Sequence, residues 1–511
     1  MHDAIVVGGG HNGLVAASYL AKAGKKVVLL EASASLGGAT TSVRPFPDFD
    51  AKLSRYSYLV SLLPDQIVQD LEINFQTISR SVSSYTPYKK DGVDGGLLVS
   101  RIWDKETEAS FEALTGSKNE GLAWQEFYGE IAEFAKRIAP FMLEPLLTRD
   151  QLKKKIGMDK VWDYVIERPI GEEIERRFSN DVVKGVVLTD ALIGTFVSAH
   201  DMQANICFLY HLIGNGTGEW KVPEGGMGQI VLELERVAKR FGVQIRTNSD
   251  VVAINESQEG VQVRTSSGES YEAKNLVFAA APQLLATLMG ESALSSLEGS
   301  QLKINMLLKK LPRLKSGQDP RLAFAGTFHA DENFSQLEHA FDEANSGKIP
   351  TKLPLEMYCH TLTDPTILGS ELIEQGYHTL TLFGLHTNAS LFDKDNDAVK
   401  EFLKEKALAG LNEFLIDPIE DVLAVNQDGS PAIEVKSPID LEADVRLPRG
   451  NIFHKDLDFP FKEADEVGKI WGSETTSKRI FLAGAGAQRG GGVSGIAGHN
   501  AAMAILTAQN M

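Results

Sequence analysis

Cysteine is almost missing from this chain. Cys207 and Cys359 are the only two among 511 residues, and they lie far apart with neither CxxC nor metal-ligand spacing. A dithiol redox mechanism is therefore excluded, and both read as small buried hydrophobes. No apolar run approaches the span of a bilayer-crossing helix. Positive charge is in deficit: 51 Lys and Arg against 69 Asp and Glu leave a formal net charge of −18. Without a basic face to neutralise phosphates, nucleic acid is not an expected partner, and a polybasic membrane dock is disfavoured. His, Cys, Asp and Glu fall nowhere at metal-site spacing, so no metal is expected. Tandem repeats and low-complexity tracts are lacking too.

What the chain does have begins at once. "VVGGGHNGLVAASYLAKAGKKVVLLE", from Val6 to Glu31, reads as strand, glycine turn, helix, strand, acid. Gly8 permits a tight turn, Gly10 lets backbone approach a pyrophosphate, and Gly13 lets the helix pack close on the strand. The phosphates are expected at the helix N-terminus, where free amides and the dipole favour negative charge. Glu31 can accept from a ribose hydroxyl and repels a 2′-phosphate, so the motif suits FAD or NAD rather than NADP. Because the motif starts so early, no leader peptide is expected ahead of it, and a cytoplasmic location is the expectation.

The length allows two or three domains. Nucleotide-binding grammar returns twice: in "WKVPEGGMGQIVLELERVAKRFGVQIRTNSDVVAI", followed by two alternating strands and a buried one, and in the C-terminal strand, glycine loop and helix "RIFLAGAGAQRGGGVSGIAGHNAAMAILTAQ". A simple NAD dehydrogenase keeps its Rossmann half contiguous. Pieces this widely separated suit a flavin enzyme with an extended FAD. The expected fold is α/β: a discontinuous Rossmann-like FAD-binding domain (1–75, 216–285 and 448–511), a helical insertion (76–215) and a mixed-sheet substrate domain (286–447). "GNGTGEW" and "AGAGA" lack the flanking strand, helix or acid of a second dinucleotide site. NADPH docking is thus not expected, and electrons must leave to oxygen, a quinone or a protein.

The N-terminal stretch, the "PEGGMG" turn with its helix, and "LAGAG…RGGGVSGIAGHNAA" resemble the phytoene-dehydrogenase-like FAD oxidoreductases, relatives of the amine oxidases. "LSRYSYLVSLLPDQIVQDLEI", "KINMLLKKLP", "LEMYCHTLTDPT" and "GNIFH" narrow the resemblance to one branch of that family. The resemblance implies non-covalent FAD. Gly8, Gly10, Gly13 and Glu31 match the pyrophosphate and ribose motif, and Gly37 and Gly38 a second glycine pair along the phosphates. Val251 matches the position whose backbone meets the adenine, and Ala280 a strand end beside the cofactor. Gly484, Gly491, Gly492 and Val493 match the last loop, facing the flavin pyrimidine. Amine oxidases usually carry an acid after the glycine matching Gly484. Ala485 stands there instead, as on the carotenoid-desaturase side of the family.

The last loop, read on its own, opens a helix after three glycines, so its amides and dipole would face charge developing on a reduced flavin. Candidate catalytic residues are Lys303, which matches a lysine that reaches flavin N5 through a water in amine oxidases, and His454 in "GNIFH". Each has a structural alternative, a solvated strand-end lysine and a satisfied histidine. Arg55, Tyr58 and His211 are candidates to face substrate, with a loop anchor and a core histidine as the alternatives for Arg55 and His211. "RIAPFMLEPLLTRDQLKKKIG" joins an apolar run to basic residues, which fits either a packed helix with a solvated end or a peripheral dip into a membrane surface. The expected activity is hydride transfer from a carbon centre of a mainly apolar substrate to flavin N5. Its rivals are a flavin amine oxidase using Lys303 and a FAD-containing interaction protein with little turnover. Substrate identity and oligomeric state are not legible in the sequence.

Overall fold

A computed structural model describes residues 1–508 apart from Ser61, Thr217 and Ala293. The first strand, His2–Val7, is buried on both faces: Ala4 and Val6 point into one core, Ile5 and Val7 into another. It lies parallel between Val27–Leu30 and Ser270–Phe278. The sheet runs Val251–Glu256, Val261–Thr265, Ser270–Phe278, His2–Val7, Val27–Leu30, Gln244–Arg246, and Ile480–Leu482 pairs in parallel with Leu276 to Phe278. Start, middle and end of the chain thus share one sheet.

Three helices cover one face: His11–Lys22, Gly228–Arg240 and Ile496–Ala508. The first is set unusually close to its surroundings. A Cβ built on Gly13 would lie 2.0 Å from the Gly8 carbonyl oxygen, and one on Gly498 would lie 2.1 Å from that of Asn12. The last helix therefore rests directly on the first turn of the first helix.

The second sheet is ordered Ile433–Lys436, Leu302–Leu308, His378–Gly384, Leu355–Tyr358, Thr327–Ala330, Val82–Lys90, Val93–Ser100. Leu302, Ile304, Met306 and Leu308 alternate into its core. The helical portion, including Asn119–Ile138, Asp181–Thr189 and Met202–Ile213, has a third core.

The segment 76–215 departs from the expected helical insertion at its start. Val82–Lys90 and Val93–Ser100 form a hairpin that extends the second sheet, the first of the two strands running parallel to Thr327–Ala330. The turn is Asp91-Gly92, both at positive φ (51° and 80°), the backbone of a two-residue hairpin loop. Weak apolar alternation, with serines on one arm and Gly95 and Gly96 on the other, hid the strands. The Arg137–Gly157 run buries Met142, Leu152 and Ile156 in the helical core, and Leu146 is buried as well. Among the described residues no helix is long and apolar enough to cross a membrane.

Gly498→Val should force the last helix off the first. We expect a loss of roughly 1–3 kcal/mol, read as a lower Tm and a lower urea midpoint. An unchanged Tm would show that the two helices are not in this contact.

Candidate cofactor cleft and adjoining chamber

A cleft of about 500 Å³ opens over the glycine turn. Glu31 organises one part of it. Its carboxylate accepts from the Gly9 amide at 2.7 Å and the Ser33 amide at 2.8 Å, while the Gly37 amide donates to the Gly9 carbonyl at 2.9 Å. The two glycine pairs are thereby held together, beside Ser249, Asp250 and Val251. Gly10 caps the first helix without a side-chain hydrogen bond, and a Cβ built on it meets no atom within 4 Å. First-turn amides and open space coincide there, the arrangement a pyrophosphate needs.

Two histidines organise another part. His454 packs its ring against Gly484, with Cε1 3.2 Å from where a Cβ would stand, and its Nδ1 is buried without a partner. His11 is held by a 3.1 Å contact between its Nδ1 and Thr40 Oγ1, and its Nε2 is likewise unpartnered. Burial pushes both down to about 4, so both rings are neutral at neutral pH. Both histidines line a cleft also lined by Gly491, Gly492 and Val493. A neutral, hydrogen-bonding ring system suits that environment, and an extended dinucleotide fits the polar groups that run from Glu31 to His454.

A second cavity of about 360 Å³ meets this cleft at Ile193 and Trp220, which line both. Its walls include Trp103, Trp124, Tyr128 and Tyr358. Arg80, Asp190, His329 and Glu356 also line it. Burial raises Asp190 to about 7 and Glu356 well above the usual carboxylate range. His329 Nδ1 lies 2.5 Å from Glu332 Oε2. Burial lowers the histidine to about 4 and raises the Glu332 carboxyl, so burial disfavours charge on both partners.

Residues 13–303, more than half of the chain, match the family described as flavin containing amine oxidoreductase. The chain belongs to the flavin-containing amine oxidoreductase family. Its cofactor is FAD. An uncharacterised protein of Mycobacterium tuberculosis is 44% identical over 99% of this chain and 97% of its own length. Mouse pyridine nucleotide-disulfide oxidoreductase domain-containing protein 2 is 29% identical over 99% and 93%. A putrescine oxidase variant redesigned in its cofactor binding superposes with a TM-score of 0.60 at 17% identity, each chain covered to 99%; that likeness is one of fold.

In this flavin oxidoreductase Gly8, Gly10, Glu31, Gly37, Gly38, Val251 and Ala280 line the cleft, as do Gly484, Gly491, Gly492, Val493, His454, Tyr58 and His211. Gly13 lies behind it, against Gly8. His211 is held by its own helix, with Nδ1 3.1 Å from the Cys207 carbonyl oxygen. Tyr58 packs against Tyr358, with ring centroids 4.4 Å apart and the planes tilted by 34°.

Lys303 and Arg55 stand apart from the cleft lining. Lys303 is buried on the second strand of the second sheet, donates to the Ser54 carbonyl at 2.9 Å and lies over the Phe383 ring; burial lowers it to about 7. Arg55 pairs with Glu434 at 2.8 Å, and Glu434 also accepts from Asn305 at 3.1 Å. Both cations tie the 52–58 segment to the second sheet. In the cleft, His11 is a residue that sequence reasoning passes over, as it does the chamber residues Arg80, Asp190, His329 and Glu356. Its signal was a polar side chain in a variable position of the glycine motif, on the first helical residue. Among the described residues no cysteine lines the cleft.

Gly10→Val should leave the fold intact, because its side chain enters open space, and should abolish flavin content by filling the phosphate position. The check is flavin absorbance per mole of protein beside an unchanged apo-protein Tm. Normal loading would place the cofactor elsewhere.

Proposed function

We propose that this enzyme removes hydride from a carbon centre of a mainly apolar substrate, the dehydrogenase or desaturase chemistry of the phytoene-dehydrogenase-like branch. The observation that carries this is the aromatic chamber beside the cleft, which shares Ile193 and Trp220 with it. Trp103, Trp124, Tyr128 and Tyr358 offer flat apolar contact and exclude water from a reacting carbon. FAD, when bound, supplies the hydride acceptor.

The chain's own groups have narrower tasks. Neutral His454 can hold a proton at Nδ1 within the cleft. Lys303 acts through the Ser54 carbonyl, fixing the strip that leads to Tyr56 and Tyr58 on the cleft wall. Tyr56 reaches back to Asp444, and Arg446 forks onto Asp250 at 2.6 and 3.0 Å, so the wall is braced from the substrate side as well.

Amine oxidation is the second reading. It is favoured by the matched family and by the two carboxyl residues, Asp190 and Glu356, that line the chamber. Ala485 after Gly484, and a Lys303 amine committed to a backbone carbonyl, argue for the first.

Anaerobic mixing of the holoenzyme with polyenes and long-chain lipids on one side, and primary amines on the other, decides between them. Flavin bleaching by the apolar series is expected. Bleaching by amines alone, with peroxide on admitting oxygen, would replace the proposal with amine oxidation. Lys303→Met should keep full FAD loading and slow flavin reduction by about tenfold, a cost of ~1.4 kcal/mol in positioning. Unchanged reduction would remove Lys303 from the account.

A further inference from the structure

Arg80 is the one strongly basic group on the chamber wall that is nine-tenths buried, at 9% exposure. Its partners are few. Among the described residues its hydrogen bond is to Thr327 Oγ1, at 3.5 Å, and no acid comes within ion-pair distance. Its guanidinium instead faces aromatic rings, 5.4 Å from the centroid of Trp220 and 5.6 Å from that of Tyr358. Those contacts hold the planar group in place and leave its donors for a ligand. Trp220 is also where the chamber meets the cofactor cleft.

The acids nearby do not take up this charge. Both carboxyl oxygens of Glu356 are buried without a hydrogen-bond partner and present no surface to the cavity. Asp190 accepts from Tyr128 at 3.5 Å, and burial raises it to about 7. His329 is engaged by Glu332. Arg101, the other cation on the wall, is matched by Glu219 at 3.5 Å. Arg80 is thus a cation taken out of water with no acid in direct contact, Glu356 and Asp190 acting on it only at longer range, and such a charge is costly unless something else pairs with it.

We propose that Arg80 anchors a carboxylate on the substrate, so that this enzyme acts on an amphipathic acid whose hydrocarbon body lies against Trp103, Trp124 and Trp220. One guanidinium matches one negative charge and pairs with a carboxylate in forked geometry. A phosphate dianion would bring two negative charges to this single buried cation. Calling the ligand a substrate rests on the hydride-transfer proposal above; the anchor itself does not.

The test titrates FAD-loaded protein with decanoate, methyl decanoate and decylamine, reading the bound-flavin absorbance. Decanoate should bind at least about tenfold more tightly than the ester or the amine. Arg80→Met should bring acid and ester to within about twofold, Arg80→Lys should keep part of the preference, and the Arg80→Met holoenzyme should lose no thermal stability, since it sheds a buried charge that no acid contacts directly. A wild-type spectrum unmoved by decanoate, tighter binding of decylamine, or a preference that survives in Arg80→Met each overturns the anchor. Should Arg80→Met not fold, the wild-type comparison and Arg80→Lys still decide. Anaerobic bleaching separates the two proposals. Decanoate binding with no bleaching by any apolar compound sinks hydride transfer and leaves the anchor. Bleaching by a hydrocarbon without an acid group, at the same rate in Arg80→Met, sinks the anchor alone.

Discussion

Everything in the cofactor half depends on how closely the first helix is set onto the turn before it. Gly13 lets that helix sit on the Gly8 carbonyl, and Gly498 lets the last helix sit on Asn12. The second contact brings the C-terminal glycine loop to the N-terminal turn, across nearly the full chain. Only then do Gly491, Gly492, His11 and His454 line one cleft with Glu31. Gly10 has no side chain to cap the first-turn amides, so they stay open to the cleft.

A second constraint is electrostatic. The site region buries many ionisable groups, and the fold keeps most of them neutral. His11, His454, His329 and His211 are all held near 4 by burial, while Asp190, Glu332 and Glu356 are held up. Neutralising a buried group avoids a penalty of several kcal/mol per ion. Arg80 cannot use that escape, because a guanidinium keeps its proton. Lys303 can: burial lowers it to about 7, and a carbonyl takes its hydrogen bond. The same physics therefore assigns the two cations different tasks, one structural and one directed at a ligand.

The cofactor cleft was legible in the sequence because its recognition is by backbone. Turn glycines, a strand-end acid and helix starts are local patterns, and Gly8, Gly10, Glu31, Gly37, Gly38, Gly484, Gly491 and Gly492 could each be placed from a short window. Lys303 and Arg55 could not be placed in that way. Both lie within motif stretches, but their side-chain directions depend on Ser54 and Glu434, partners that no local pattern reveals. The chamber was invisible for a related reason. Arg80, Asp190, His329 and Glu356 come from four distant segments that meet only in the folded chain.

The hairpin read at first as part of a helical insertion explains how those segments meet. Val82–Lys90 and Val93–Ser100 carry the second sheet out beneath the helices. Val82, Ser84 and Val99 from the hairpin, Thr327 and Tyr358 from the sheet, and Trp124 and Val186 from the helices then share one cavity. Arg80 and Arg101 flank the hairpin at its two outer ends, and Arg101 donates to the Arg80 carbonyl at 3.1 Å. The arginine on the chamber wall is thus positioned by a strand pair that belongs to neither the helical nor the cofactor portion. Helices alone would leave that wall open, and the sheet alone would leave it in water. Burying a lone cation against Trp220, next to the cofactor cleft, requires both.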